Sequence, residues 1–214
     1  NMLWSGMAKE TAHQIGTPLT SLMGWLELLK TSPNKDQYLD EVEKDLERLN
    51  IISERFNKIG SKPKLTKENI CKEIDKTISY LRARLSNKIS LEFEHPKDEI
   101  IGYLNKQLFS WSLENIIKNS IDSIKDSGKV KISIIEDNEY LKIYISDNGI
   151  GVKQSLKNKI FKPGVTTKER GWGLGLSLSK RIIEEYHKGE IKLIESIVGQ
   201  GTKMLIKLKA VKRI

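Results

Sequence analysis

SDNGIGV, Ser146 to Val152, closes a predicted strand (140–146) with an aspartate and then opens into two glycines, Gly149 and Gly151. Three further stretches of the same half of the chain belong with it. Upstream, NIIKNSIDSI places Asn115 and Asn119 four residues apart, on one face of a predicted helix over 105–126. Downstream, FKPGVTTKERGWGLGLSLSKRII, Phe161 to Ile183, is a long irregular segment followed by Gly171, Gly173 and Gly175 at a helix start, and GQGTKM lies between the last two predicted strands. Gly-rich turns ahead of a helix let backbone N–H groups approach phosphate oxygens, with the helix N-terminus adding favourable partial charge. An asparagine oxygen suits Mg²⁺ alongside those phosphates, and an aspartate at a strand end can accept a hydrogen bond from an exocyclic amine. A Walker loop and a dinucleotide-binding βαβ fingerprint are both absent.

Around these stretches the pattern is mixed. Helices are predicted near 70–86, 105–126 and 174–187, and strands near 88–94, 100–104, 129–136, 140–146, 190–196 and 202–208, with EDNEY as a hairpin turn. Without a regular βαβ rhythm this favours an α+β sandwich, a mixed sheet with helices on one face.

The first sixty residues read differently. From about Asp36 to Ile59, Leu39, Val42, Leu46, Leu49, Ile52, Phe56 and Ile59 recur at steps of three and four, and Trp4, Met7, Ile15, Leu19, Leu22, Leu26 and Leu29 do so in a first helix. TSPNKD is a short connector, so the pair should fold back as an antiparallel hairpin. Two helices cannot bury both stripes, and self-association into a four-helix bundle solves this. GSKPKLTKEN, Gly60 to Asn69, reads as a linker, which divides the chain into 1–61 and 62–214. Within the first helix, HQIGTPLT, His13 to Thr20, carries a histidine and then Pro18, which removes a helix hydrogen bond at a cost of roughly 3 kcal/mol.

Composition sets the outer bounds. The chain has 214 residues, 38% of them hydrophobic, and a formal net charge of +9, of which −1 falls up to Lys62 and +10 beyond it. A basic half suits nucleic acid, anionic lipid or a phosphorylated ligand, or is simply a lysine-rich solvated surface. No apolar run approaches the ~20 residues of a membrane-spanning helix, and the single cysteine, Cys71, excludes an internal disulfide framework. The expected setting is cytoplasmic. Because the chain opens on Asn1, it is read as a piece of a longer protein, with any membrane attachment made through a segment missing here.

In this order, the Asn-rich helix, DNGIG, FKPGVTTK, GWGLGL and GQGT resemble the N, G1, F, G2 and G3 boxes of sensor histidine kinases, whose catalytic domains have the Bergerat (GHKL) ATP-binding fold. AHQIGTPLTSL resembles the H-box of their dimerisation and phosphotransfer domain, so the resemblance spans nearly the whole chain. It implies a multidomain protein, an all-α helical hairpin forming a dimeric four-helix bundle followed by an α+β ATP-binding sandwich. His13 would be the phosphoacceptor, with Pro18 loosening the helix beside it. Asp147 would bind the adenine amine with support from Thr202, and Asn119 would hold Mg²⁺ with Asn115 beside it. Gly149, Gly151, Gly171, Gly173 and Gly175 would shape the pocket and its lid, and Lys168, or else Arg170, would supply a cation near the phosphates. Thr17 matches the family position that orients water for dephosphorylating the partner. The implied activity is autophosphorylation from ATP and transfer to an aspartate of a response-regulator receiver domain, by a homodimer with no nucleic-acid partner.

One position departs from the family. The residue after the histidine is commonly Glu or Asp, and here it is Gln14, which accepts a hydrogen bond but supplies no charge; Glu10, three residues before His13, is a substitute on the same helical face. Two other readings compete. A Bergerat-fold ATPase would place a water-activating glutamate where Asn115 stands, with Glu114 rotated about 100° away. A basic nucleic-acid-binding dimer would need a lysine and arginine stripe with stacking aromatics, and the aromatics are few. His187, at a predicted helix end, reads as a cation suited to the helix dipole.

Overall fold

The computed structural model describes residues 2–31, 35–59, 63–137, 139–168 and 173–211, and within the first two helices it leaves out the side chains at 2–7, 9, 10, 13, 35, 37, 51 and 54–59. Two long helices, α1 (Met2–Thr31) and α2 (Lys35–Ile59), come first. The helix α1 runs on through Pro18. Contact between the two is fixed by Asp45, which is 3% exposed and accepts from Trp25 Nε1 at 3.1 Å and from Arg48 at 2.9 Å. Burial pushes the Asp45 carboxyl up, but hydrogen bonds from Ser21, Trp25 and Arg48 outweigh it and hold it below its usual range. Pro18 and Leu22 are the buried aliphatic side chains among the described residues of this pair, whereas Ile15, Leu19, Met23, Leu26, Leu39 and Leu46 are exposed.

The remaining elements are β1 (Thr66–Asn69), α3 (Ile70–Arg82), β2 (Ile89–Glu94), β3 (Ile101–Leu104), α4 (Lys106–Asp122), β4 (Gly128–Glu136), β5 (Tyr140–Asp147), the single turn α5 (Gln154–Lys157), α6 (Gly175–Arg181) running into a π-helical turn at Ile182–Tyr186, β6 (Glu190–Ile197) and β7 (Gly201–Lys209). A five-stranded sheet has the order β2-β4-β5-β7-β6, with β2 parallel to β4 and the other pairs antiparallel; β1 and β3 form a separate antiparallel ribbon. Alternate residues of the central strands, Val130, Ile132 and Ile134, Leu141, Ile143 and Ile145, Met204, Ile206 and Leu208, are buried against Ile74 and Ile78 of α3, Leu113 and Ile117 of α4 and Leu178 of α6. This is the two-layer sandwich expected, with helices on one face. The other face carries Lys142, Tyr144, Lys203 and Lys207, and the Lys207 ammonium lies 3.7 Å from the ring centre of Tyr140.

Helix starts follow from their caps. Asn69 and Asn105 accept the N–H groups of Lys72 and Leu108 at 3.1 and 3.2 Å, opening α3 and α4. Two elements differ from the sequence reading. Thr66–Asn69, expected as linker, is a strand, because its order comes from backbone pairing to β3 rather than from any apolar alternation in TKEN. His187, expected as a helix-end cation, is 4% exposed: Nε2 accepts from Asn105 N–H at 3.1 Å and Nδ1 donates to Ile182 C=O at 2.9 Å. Burial pushes its pKa down, so the ring is neutral and ties the end of the π-helical turn to the start of α4.

Candidate functional site

The site grows from the end of β5. Register sets Asp147 opposite Thr202 of β7. Its Oδ1 accepts from Gly149 N–H at 3.0 Å and from Thr202 N–H at 3.2 Å, and the Ser123 hydroxyl, which shares its one proton with Ser120 C=O at 2.7 Å, lies 3.1 Å away. No described group donates to Oδ2, so the carboxylate is anchored by one oxygen and presents the other. Thr202 is itself held through its hydroxyl, 2.9 Å from Ser196 Oγ, which also accepts the N–H of Val152 at 2.8 Å.

The glycine loop after Asp147 is pressed onto the end of α4. A Cβ on Gly149 would lie 1.8 Å from Ser123 Oγ and 2.7 Å from Ser123 C=O, so only glycine fits there. Ile150 N–H donates to the same carbonyl at 2.9 Å, and Gly199 N–H of the β6–β7 turn donates to Ile150 C=O at 2.9 Å. Gly151 adopts φ +68 beside Ile197.

Asn115 and Asn119 lie one turn apart on α4, toward whose C-terminal end this loop packs. Asn115 lies against the start of α6, its Nδ2 3.5 Å from Gly175 C=O. Asn119 Oδ1 accepts from the Lys168 ammonium at 2.8 Å, and the same ammonium reaches Asp122 Oδ2 at 2.7 Å. The segment that brings Lys168 here is closed at its base, where Gly164 N–H donates to Gly173 C=O at 3.1 Å. Gly173, with φ +65, sits so close that a Cβ would come within 2.7 Å of the Gly164 and Val165 backbone. Asn115, Asn119, Asp147, Gly149, Gly151, Lys168, Gly173, Gly175 and Thr202 therefore converge on one end of the sandwich. Arg170, Gly171 and Trp172 lie outside the described residues. A cleft bounded by Pro96, Lys97, Ile134 and Glu136 is at the other end of β4 and shares no residue with this site.

On α1, Gln14 is half-buried and Thr17 exposed, beside an open groove lined by Ala12, Gly16, Thr17, Thr20 and Ser21. His13 and Glu10 fall on this helix, but their side chains lie outside the described set. Three contributors went unread in the sequence: Asp122, Ser123 and Ser196. Asp122 and Ser123 follow Asn119 by three and four residues, so helical spacing alone places them on its face.

Residues 107–212 match the family described as histidine kinase-, DNA gyrase B- and HSP90-like ATPase, and residues 4–61 match the His Kinase A (phospho-acceptor) domain. The chain belongs to the sensor histidine kinases. Sporulation kinase A of Bacillus subtilis is 35% identical over 207 residues, which is 92% of this chain and 33% of that protein. The signal transduction histidine-protein kinase AtoS of Escherichia coli is 30% identical over 199 residues, 89% of this chain and 32% of the relative. The chain thus spans about a third of the length of these kinases. Among solved structures, the nucleotide-free catalytic domain of the histidine kinase ThkA is 26% identical with a TM-score of 0.63, covering 69% of this chain and 97% of that one. ThkA in complex with the response regulator protein TrrA matches 96% of this chain and 61% of that one at 23% identity and a TM-score of 0.63, a likeness of fold. In this family frame, one domain match falls on the helical hairpin and the other on the sandwich that holds the asparagine and glycine cluster.

Proposed function

We propose that this histidine kinase chain is the cytoplasmic core of a sensor kinase, in which the γ-phosphoryl of ATP passes to His13 and then to an aspartate of a response-regulator receiver domain. Residues 1–61 serve dimerisation and phosphotransfer, and residues 62–214 bind the nucleotide. The observation that carries this reading is the Asp147 carboxylate, anchored on Oδ1 by the N–H groups of Gly149 and Thr202 with the Ser123 hydroxyl alongside, and with Oδ2 presented beside the glycine loop. An adenine amine is the complementary donor. Thr202 steadies that aspartate, Asn115 ties α4 to Gly175, and Gly149, Gly151, Gly171, Gly173 and Gly175 let the backbone approach the ligand.

The donor chemistry fits Mg²⁺. Asn119 Oδ1 already accepts from a cation, and among the described residues no three acidic, histidine or cysteine side chains gather to hold an ion alone. A metal carried in on the phosphates with few protein ligands suits such a site. When bound, the ion neutralises phosphate charge. Lys168 adds a second positive charge beside the phosphates.

His13 attacks as neutral imidazole: an N–P bond forms, the bond from γ-phosphorus to the bridging oxygen breaks, and ADP leaves. Gln14, next in sequence, and Glu10, three residues before, are the candidates to fix the imidazole tautomer by accepting its N–H. Thr17, exposed on the next turn, would orient water when the regulator is dephosphorylated. Plain hydrolysis is the weaker reading, since Asn115 occupies the position of a water-activating base. The neighbouring Glu114 is buried and paired with Lys118 at 2.7 Å. The exposed apolar faces of α1 and α2 are covered by a second copy, as a four-helix bundle requires.

Incubation with γ-labelled ATP tests the whole reading. Label should be acid-labile, as a phosphoramidate is, and absent from His13→Gln; Asn119→Ala and Asp147→Asn should lose at least tenfold in nucleotide affinity by calorimetry while remaining dimeric. Equal labelling of His13→Gln defeats the phosphoacceptor assignment, and unchanged affinity in both pocket variants defeats the nucleotide site.

A further inference from the structure

The contact between Lys168 and α4 is built like a cation site. One ammonium bridges Asn119 Oδ1 and Asp122 Oδ2, at 2.8 and 2.7 Å, across 49 and 46 residues of sequence. The two oxygens stand three residues apart, on one face of the helix. With side chains 39% and 51% exposed, the Lys168–Asp122 ion pair adds little to stability. What it reports is position: two hard oxygens, one neutral and one anionic, converge on a single point of positive charge beside the glycine loop. Asp122 is otherwise hard to place there, because a bare carboxylate facing polyphosphate repels it.

We propose that Asp122 is the anionic half of the cation position at this nucleotide site: with Asn119 it holds the Lys168 ammonium in the nucleotide-free protein, and it exchanges that ammonium for Mg²⁺ when the nucleotide arrives. Lys168 is then released toward the phosphates. The inference rests on the nucleotide-site reading and deepens it. Asp122 makes binding metal-dependent in two ways, by disfavouring metal-free nucleotide through like-charge repulsion and by favouring the metal complex. Groups that support a metal's ligands from the surrounding shell commonly set its affinity by 10- to 100-fold.

Calorimetric titration of the full chain with a non-hydrolysable ATP analogue, once in chelator and once in millimolar Mg²⁺, gives the factor by which the metal strengthens binding. Asp122→Asn should lower that factor about tenfold or more, with metal-free binding tightened. Asp122→Glu should keep most of it. Lys168→Met should raise it, because Asp122 then faces the phosphates uncompensated until the metal comes. Opposite movements in Asp122→Asn and Lys168→Met separate cation exchange from a merely structural ion pair, whose loss would shift both variants the same way. A factor unchanged within twofold in Asp122→Asn, in a parent that binds the analogue and an Asn119→Ala variant that does not, overturns the role of Asp122 alone. A parent that binds no nucleotide in either condition overturns the nucleotide site with it.

Discussion

Asp147 commits one carboxylate oxygen to the protein and leaves the other open, and that anchoring rests on Gly149, Thr202 and Ser123, none of which is acidic or basic. Residue type and position in the chain made Asp147, Asn115 and Asn119 legible, because few structural reasons put an aspartate before paired glycines or two asparagines one turn apart. Helical spacing puts Ser123 and Asp122 on the face of Asn119, but nothing in their residue types marks them, since their importance arises from what folds onto them. Gln14 is the residue where sequence departs from family, and it supports a rate prediction. If the missing carboxylate limits the reaction, Gln14→Glu should speed autophosphorylation about five- to tenfold, because a charge-assisted hydrogen bond exceeds a neutral one by roughly 1 kcal/mol as positive charge develops on the ring. If Glu10 already fills that role, Gln14→Glu should change little and Glu10→Gln should be slow; initial rates at saturating Mg–ATP distinguish the two, and no change in either moves the limiting step to domain docking. His187 supports a pH prediction. Its folded pKa lies below the unfolded value of about 6.5, so its contribution to stability is complete above that pH and is lost as pH falls through the folded pKa. Protonation at Nε2 would also turn a second donor against Asn105 N–H. The melting midpoint should therefore drop between pH 7.5 and 5 more steeply in the parent than in His187→Gln, and equal slopes would contradict the assignment.

At the scale of elements, periodicity carried most of the fold. Strands β4 and β5 alternate buried and more open residues along their length, and α2 repeats apolar residues every three to four, so their type and rough extent follow from the sequence. The strand β1 has no such pattern, and what orders it is the ribbon with β3, which no local property of TKEN announces. The helical hairpin shows the converse: its pattern is clear, yet within one chain the apolar stripe is left open, with Leu46 52% and Leu26 53% exposed. Inside the hairpin, Asp45, Trp25 and Arg48 set which faces of α1 and α2 meet. That leaves the outer stripe to a second copy. Leu46→Glu should place a charge in each half of the bundle core and dissociate the dimer, shifting the sedimentation coefficient toward that of a monomer at micromolar concentration. Nucleotide affinity should be unchanged within about twofold, because Leu46 is on α2 and the pocket is built from β5, β7 and α4. A dimer that survives the substitution would mean that this stripe is not the interface.

For the molecule as a whole, the hydrophobic core decides which parts can stand alone. The buried cluster runs from Ile70 to Leu208 and includes no described residue of α1 or α2. The elements that carry the proposed pocket hang on that cluster: α4 buries Leu108, Phe109, Leu113, Ile116 and Ile117 in it, β5 buries Leu141, Ile143 and Ile145 leading up to Asp147, and β7 buries Met204, Ile206 and Leu208 after Thr202. The described residues of the hairpin close no comparable core, so its stability is expected to come from association. Separate production of residues 1–61 and 62–214 makes the asymmetry measurable. The 62–214 piece should melt cooperatively at a temperature independent of its concentration and bind nucleotide as the full chain does, since it takes its whole core with it. The 1–61 piece should lose helicity on dilution, because unfolding is then coupled to dissociation and mass action favours the unfolded monomer. Mixed with ATP, the larger piece alone should take no acid-labile label, and label should appear on the smaller piece when both are present. A concentration-independent melt of 1–61 would show that the hairpin folds as a monomer. Labelling of 62–214 by itself would place the phosphoacceptor in the wrong domain.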